Sequence, residues 1–293
     1  MDILIDILTY LPRGLIYVAL GLVVLTLAKL ARDVVTRHRI EEEIVTKGNL
    51  AVALRLSGYL MGVILVFLGA VYEPMGGDGY VGLGIDRAFG LEVLWVFLYS
   101  LAGIVALNLM RLVTDRLVLY RFELEREIIQ DQNAGAAAAE FGVNIASGLV
   151  IAGAIAGQGG PLNALAFFGL GLGVLILFAL FYEWTTPFNI HDEIERDNPA
   201  VGIALGGNLI AIGLVTFKAT FGDFVGWQSG ILEFAVYSVV GFVLLYVLRV
   251  AVDLVLLPHT RVSQQVAGGR NVGVAFVETA VVVSSALILL IVI

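Results

Sequence analysis

Glu140 and Glu278 are the residues of this sequence whose chemistry is least at home in their surroundings. Each lies inside a long apolar run, seven residues after an asparagine (Asn133 and Asn271). If those runs are helices, seven residues is about two turns, or ~10 Å of depth. A carboxylate at such a depth in a bilayer is costly and marks a functional site by default. Two of them close together would share a proton or recruit a cation. Arg55, six residues after Asn49, is the one basic residue at comparable depth, and pairing with it would turn the site into a salt bridge. Asn108, Asn144 and Asn208 add neutral polar groups within the apolar runs.

Other chemistry lacks its residues. There is no cysteine, so neither disulfides nor thiol chemistry arise. His38, His191 and His259 fall in separate loops, which argues against a metal site. No glycine-rich phosphate loop precedes a lysine and no serine sits on a nucleophile elbow. Gly169-Leu170-Gly171-Leu172-Gly173 lies within an apolar run and reads as helix packing. No basic patch suited to nucleic acid is present. The expectation is a chain that is not an enzyme and has no catalytic residues, metal or cofactor. Its partners are the lipid bilayer and a small cation or solute, and its architecture leaves room for a homo-oligomer.

The elements that hold these residues follow from composition. Of 293 residues, 59% are hydrophobic and 14% charged, with mean hydropathy +0.96. Soluble domains carry about 25% charged residues. Eight apolar stretches reach the ~20 residues a bilayer core requires, at roughly 12–32, 49–72, 91–113, 133–156, 162–182, 199–220, 231–255 and 271–293. Runs such as Val281-Val282-Val283 do not alternate with polar residues, which excludes a membrane barrel. The fold class is therefore all-α, a polytopic bundle of eight transmembrane helices. The start, Met1-Asp2-Ile3-Leu4-Ile5-Asp6, is acidic where a cleaved secretory signal would be basic, so the first helix reads as retained.

The even-numbered spans share a start. Glu43-Ile44 precedes Asn49, Glu127-Ile128 precedes Asn133, Glu193-Ile194 precedes Asn198, and Gln265-Val266 precedes Asn271. Nine residues after each Asn stands Gly58, Gly142, Gly207 or Ala280. Asparagine is a preferred N-cap and proline is favoured just after it, so Asn198-Pro199 is a helix start and the other three align with it. Small residues two, four and nine positions on permit close backbone approach on two faces, which makes the even helices the inner ones. The odd spans repeat a base four residues before an acid: Lys29 and Asp33, Arg111 and Asp115, Arg249 and Asp253, with Ala179 and Glu183 in the remaining copy. These pairs read as local ion pairs that snorkel at span ends. Loop spacing pairs the first unit with the third and the second with the fourth. The chain thus reads as a duplicated four-helix domain, 1–158 and 159–293, with four parallel two-helix repeats and pseudo-two-fold symmetry that makes Glu140 and Glu278 equivalent.

Thirteen Lys and Arg residues lie on the side of the Asn motifs, against Arg13, Arg87 and Lys218 on the other. The positive-inside rule puts the motif loops in the cytoplasm and both termini outside. Trp95, Trp184, Trp227, Tyr72 and Tyr182 near span ends fit an interfacial belt.

The fourfold Glu-Ile-x(3–4)-Asn-x-Ala/Gly start, clearest in Asp192-Glu193-Ile194-Glu195-Arg196-Asp197-Asn198-Pro199-Ala200-Val201-Gly202, resembles the YjfL-like inner-membrane family, domain of unknown function 350. The resemblance spans the chain as two family domains in tandem. The fourth copy departs from it, with Gln265 for Glu and Ala280 for Gly. The resemblance implies a bacterial-type inner-membrane protein and no particular activity. The residues themselves point to a transporter or channel for a small cation or solute, or else to a membrane scaffold or stress-associated assembly protein. A water-filled centre lined by Glu140 and Glu278 is the mark of the first, and a dry, packed centre that of the second.

Overall fold

The computed structural model describes residues 2–36, 38–72, 85–120, 123–156, 159–222, 224–255 and 261–292; within the helices, the side chains of residues 2–10, 249 and 252–255 lie outside the description. The described residues are helical, without strands. The long helices are α1 (Asp2–Val35), α2 (Leu50–Tyr72), α3 (Arg87–Leu117), α5 (Ala134–Ile155), α6 (Gly160–Thr185), α8 (Pro199–Thr220), α9 (Trp227–Val255) and α11 (Val272–Val292). All eight are long and apolar enough to cross a bilayer. Three short helices, α4 (Leu124–Ile129), α7 (Ile190–Glu195) and α10 (Val262–Ala267), and a π-helical turn at Glu42–Thr46, precede the even spans. Five or six residues are too few to impose a helical period on a sequence.

The even spans stand in a row. α5 packs on α2 along one face and on α8 along the other, and α8 packs in turn on α11. Among the odd spans, α3 seats against α2 and α5, α6 against α5 and α8, α9 against α8 and α11, and α1 against α2. Burial follows from that order. In their most apolar stretches 83% of α5 and of α8 is buried, 50% of α2 and only 22% of α11. The expectation that all even helices are inner ones therefore holds fully for the middle two, while α11 ends the row with one face open.

Glycine sets the spacing within the row. A Cβ placed on Gly142 would lie 2.2 Å from the Cα of Gly206, and one on Gly58 would lie 2.7 Å from the Cα of Phe141. Backbones this close gain dispersion contacts along their whole length, the main source of helix association in lipid. The odd helices pack through larger side chains: Phe181 of α6 lies 4.6 Å from Phe242 of α9, ring to ring. The Tyr17 hydroxyl of α1 donates to Glu92 of α3. Of the expected belt, Trp184 and Tyr72 are 81% and 65% exposed, but Tyr182 is 4% exposed and belongs to the core.

Candidate functional site

The repeated motif has a structural meaning at every position. Each Asn caps its helix: the Oδ1 atoms of Asn49, Asn133, Asn198 and Asn271 accept from the backbone N–H of Val52, Ala136, Ala200 and Val274 at 3.1, 2.8, 3.2 and 3.2 Å. The residue before each cap (Gly48, Gln132, Asp197, Arg270) has positive φ, a sharp turn between the short helical segment and the span. That turn brings the Asn backbone N–H onto the carbonyl of the motif acid or its substitute: Asn49 to Glu43, Asn133 to Glu127, Asn198 to Glu193 and Asn271 to Gln265. Asn133 and Asn198 also donate from Nδ2 to their own motif carboxylates, Glu127 and Glu193, both at 2.9 Å. Burial raises the Glu127 carboxyl above its ordinary pKa, and the Asn133 amide opposes that shift.

The same Asn amides also reach forward into the next repeat. Asn49 Nδ2 donates to the Ile128 carbonyl at 3.0 Å, Asn133 to Ile194 at 2.6 Å, and Asn198 to Val266 at 3.1 Å. The apolar residue after each motif acid is thus the clasp point between neighbouring repeats. Ile128, Ile194 and Val266 are themselves buried. This clasp cannot be read from one repeat alone, because its acceptor is a backbone atom 61 to 79 residues away.

Glu140 is completely buried, and three arginines surround it. Arg55 Nε of α2 lies 2.9 Å from Oε2, Arg111 Nε of α3 lies 3.0 Å from Oε1, and Arg32 Nη2 of α1 lies 3.5 Å from Oε1. The Arg55 pairing expected from depth is present. Arg111, expected in a local pair with Asp115 at a span end, and Arg32 both turn inward. Arg111 keeps its expected partner Asp115 at 3.4 Å while reaching Glu140 at the shorter distance. Lys29 and Asp33 pair at 3.6 Å and are partly exposed, as a snorkelling pair should be. One turn from buried Ala28, Arg32 faces inward on α1 with its guanidinium 5.3 Å over the Tyr59 ring. Arg55 also donates to Glu125 at 2.7 Å, and Glu125 meets His38 at 3.2 Å. Three guanidiniums thus meet three carboxylates (Glu140, Asp115 and half-exposed Glu125) where α1, α2, α3 and α5 converge with the short helix α4. Arg32 Nη1 and Arg55 Nη2 remain buried without an acceptor among the described residues. On the acceptor side Asp115 Oδ1 and Glu140 Oε2 are likewise buried without a hydrogen bond among the described residues, so the groups are held as ion pairs of matched charge.

Glu278 is also buried, on α11. Its helix neighbour Thr279 donates to the Ile203 carbonyl of α8 at 3.1 Å. α8 stands between α5 and α11, so the two carboxylates occupy different parts of the row and Glu140 takes arginine partners. The halves also differ in kind: the positions equivalent to Arg32 and Arg55 are Tyr182 and Ala204. The side chains of Arg249 and Asp253 lie outside those described.

The three span asparagines bond within their own helices, and Asn108 donates in addition to the Tyr59 hydroxyl of α2 at 3.2 Å. Asn108, Asn144 and Asn208 donate to the carbonyls of Ile104, Glu140 and Ala204, four residues earlier, at 2.8, 2.9 and 2.8 Å. Of the close-packing positions, Gly58, Gly142 and Gly207 meet Phe141, Gly206 and Thr279, whereas Ala280 is exposed. In the Gly169–Gly173 run only Gly171 is a close approach, to Val150 and Thr216, and the two flanking glycines face open space. His191, expected in a loop, is buried in α7, where Nε2 donates to the Val118 carbonyl at 2.8 Å and Nδ1 lies 3.0 Å from Glu183. It ties the C-terminal end of α3, in the first half, to α7 in the second. Among the described residues no group of three or more His, Cys, Asp or Glu residues is placed to hold a metal.

Comparison with known proteins agrees with this architecture. The family model described as Domain of Unknown Function (DUF350) matches twice, at residues 6–155 and 158–293. A UPF0719 transmembrane protein of Aquifex aeolicus (strain VF5) is 23% identical over 257 residues, covering 86% of this chain and 89% of the relative. No solved structure matches.

Proposed function

The chain belongs to the DUF350 family, whose description assigns no activity, and from that premise we propose that this integral membrane protein is a rigid membrane scaffold rather than a conduit. The observation that carries the reading is the inner row itself. α2, α5, α8 and α11 meet through backbone contacts as close as Gly142 against Gly206, which leaves no lumen between consecutive helices. Asn108, Asn144 and Asn208 give their amides to carbonyls of their own helices, and Asn108 to Tyr59 of α2 as well, so these groups are engaged in packing. The arginine cluster supports the same reading. A buried ion pair contributes little net stability but is strongly destabilising to break, so it suits fixing one arrangement of helices.

Transport of a small cation or solute is the competing reading, and the depth of Glu140 favours it. The three guanidiniums around that carboxylate oppose it, because they already compensate its charge and occupy the positions a cation would take. Reconstitution into proteoliposomes separates the two. The scaffold reading expects Na+, K+ and H+ fluxes no faster than in empty vesicles, for the wild type and for Glu140→Gln alike. Flux in the wild type that Glu140→Gln abolishes would establish a conduit.

The orientation belongs to the same proposal: a bacterial-type inner membrane, motif loops in the cytoplasm and both ends of the chain outside. It rests on the thirteen-to-three charge asymmetry. A membrane-impermeant thiol reagent added to intact cells should label Ser229→Cys and spare Gln130→Cys, and the opposite pattern would invert the topology.

A further inference from the structure

The clasp between repeats runs one way and ends unfinished at both edges of the molecule. Asn49, Asn133 and Asn198 each give an amide to the following repeat. Asn271 is the fourth cap in the series, and within these 293 residues no repeat follows it. It is exposed, and its amide nitrogen has no acceptor among the described residues. Ile44 holds the place of Ile128, Ile194 and Val266 in the first repeat, which no repeat of this chain precedes.

The helix faces end in the same way. At each junction of the row, the residue nine after one cap meets the residue eight after the next: Gly58 on Phe141, Gly142 on Gly206, Gly207 on Thr279. Ala280, nine after Asn271, and Ser57, eight after Asn49, are both exposed. Around Ala280, Phe276 and Leu287 are 59% and 45% exposed, and around Ser57, Met61 and Leu68 are 47% and 54% exposed. Two faces built to the pattern of three existing junctions therefore lie open at opposite ends of one row. In lipid, apolar exposure alone selects no partner. Small residues in register together with an unpaired amide do, because they offer close packing and an interhelical hydrogen bond.

We propose that α11 of one molecule packs against α2 of a second copy of this chain, with the Asn271 amide donating to the Ile44 carbonyl of that copy, so that the inner row continues from molecule to molecule. The four repeats share one direction across the membrane, and a junction of the same kind keeps neighbouring copies in the same orientation. The contact is heterologous: it closes a ring if the rotation per molecule allows and extends an open row otherwise. This names the partner of the proposed scaffold and rests on that reading only for its purpose. The junction geometry is independent of it, so cross-linking and ion flux can fail separately.

The test exploits the absence of native cysteine. Full-length Ser57→Cys/Ala280→Cys, oxidised in its native membranes, should form disulfide-linked dimers and higher species on a non-reducing gel. Ser57→Cys alone and Ala280→Cys alone should stay monomeric. A control pair on exposed positions of odd helices, Val105→Cys/Leu177→Cys, should not cross-link beyond the single variants. Adding Asn271→Ala to the first pair should lower the cross-linked fraction roughly fivefold, the effect of losing about one hydrogen bond. Absence of a ladder from the first pair would overturn the proposal. So would cross-linking by either single variant, the signature of an isologous contact, or an equal ladder from the control pair, the signature of random collision.

Discussion

At the scale of single residues, the decisive feature is that Glu140 has three cationic neighbours drawn from three helices. Breaking a buried ion pair by removing one partner strands the other charge and costs about 3–5 kcal/mol. Glu140→Gln should therefore lower the unfolding temperature of the purified protein strongly in thermal denaturation. Removing one stranded charge as well, in Glu140→Gln/Arg55→Met, should recover part of the loss. An unchanged melting temperature for Glu140→Gln would mean that the cluster holds nothing together. Half of this site was legible in the sequence. Depth in an apolar run singled out Glu140 and Arg55, and they pair at 2.9 Å. Arg32 and Arg111 were missed because arginine near a span end snorkels by default. The sequence signal for Arg32 was its place one helical turn from small Ala28 on the core face of α1, with Lys29 carrying the local pair to Asp33. The expected kinship of Glu140 and Glu278 met a different limit. A duplication fixes equivalent positions, but Tyr182 and Ala204 stand where the first half has Arg32 and Arg55, so equivalence of position is not equivalence of environment.

At the scale of elements, the spans were legible and the bounds of the short helices between them were not. Apolar runs of membrane length announce themselves, and each Asn marked the start of the helix it caps. The short helices α4, α7 and α10 carry only an acid or amide and an apolar residue as a hint, and that pair acquires meaning only when the cap of the preceding repeat is seen to reach it. Glycine gives the sharpest contrast between positions that look alike in sequence. A Cβ on Gly142 would collide with the backbone of α8, whereas one on Gly173 would meet nothing within 4 Å. Gly142→Ala should destabilise the protein by about 1–3 kcal/mol, the usual penalty of overpacking. Gly173→Ala should stabilise it by about 0.5–1 kcal/mol, because alanine loses less backbone freedom on forming a helix. Chemical denaturation of the two variants in one detergent checks the signs. Equal effects would mean that α5 and α8 do not touch as described.

At the scale of the whole molecule, four repeats facing one way make a row whose middle is sealed on both sides and whose ends are open. The middle helices α5 and α8 are the most deeply buried of the eight, and the contacts between them are backbone against backbone. A conduit between them would need water at those amides during some part of its cycle. Hydrogen–deuterium exchange on the protein in lipid nanodiscs tests this most directly, followed by mass spectrometry across residues 134–155 and 199–220. The account predicts that these two segments exchange most slowly in the chain, and that their protection is unchanged whether Na+ or K+ is present. Rapid exchange along one face of α5 at Glu140, or protection that shifts when the cation is changed, would contradict it.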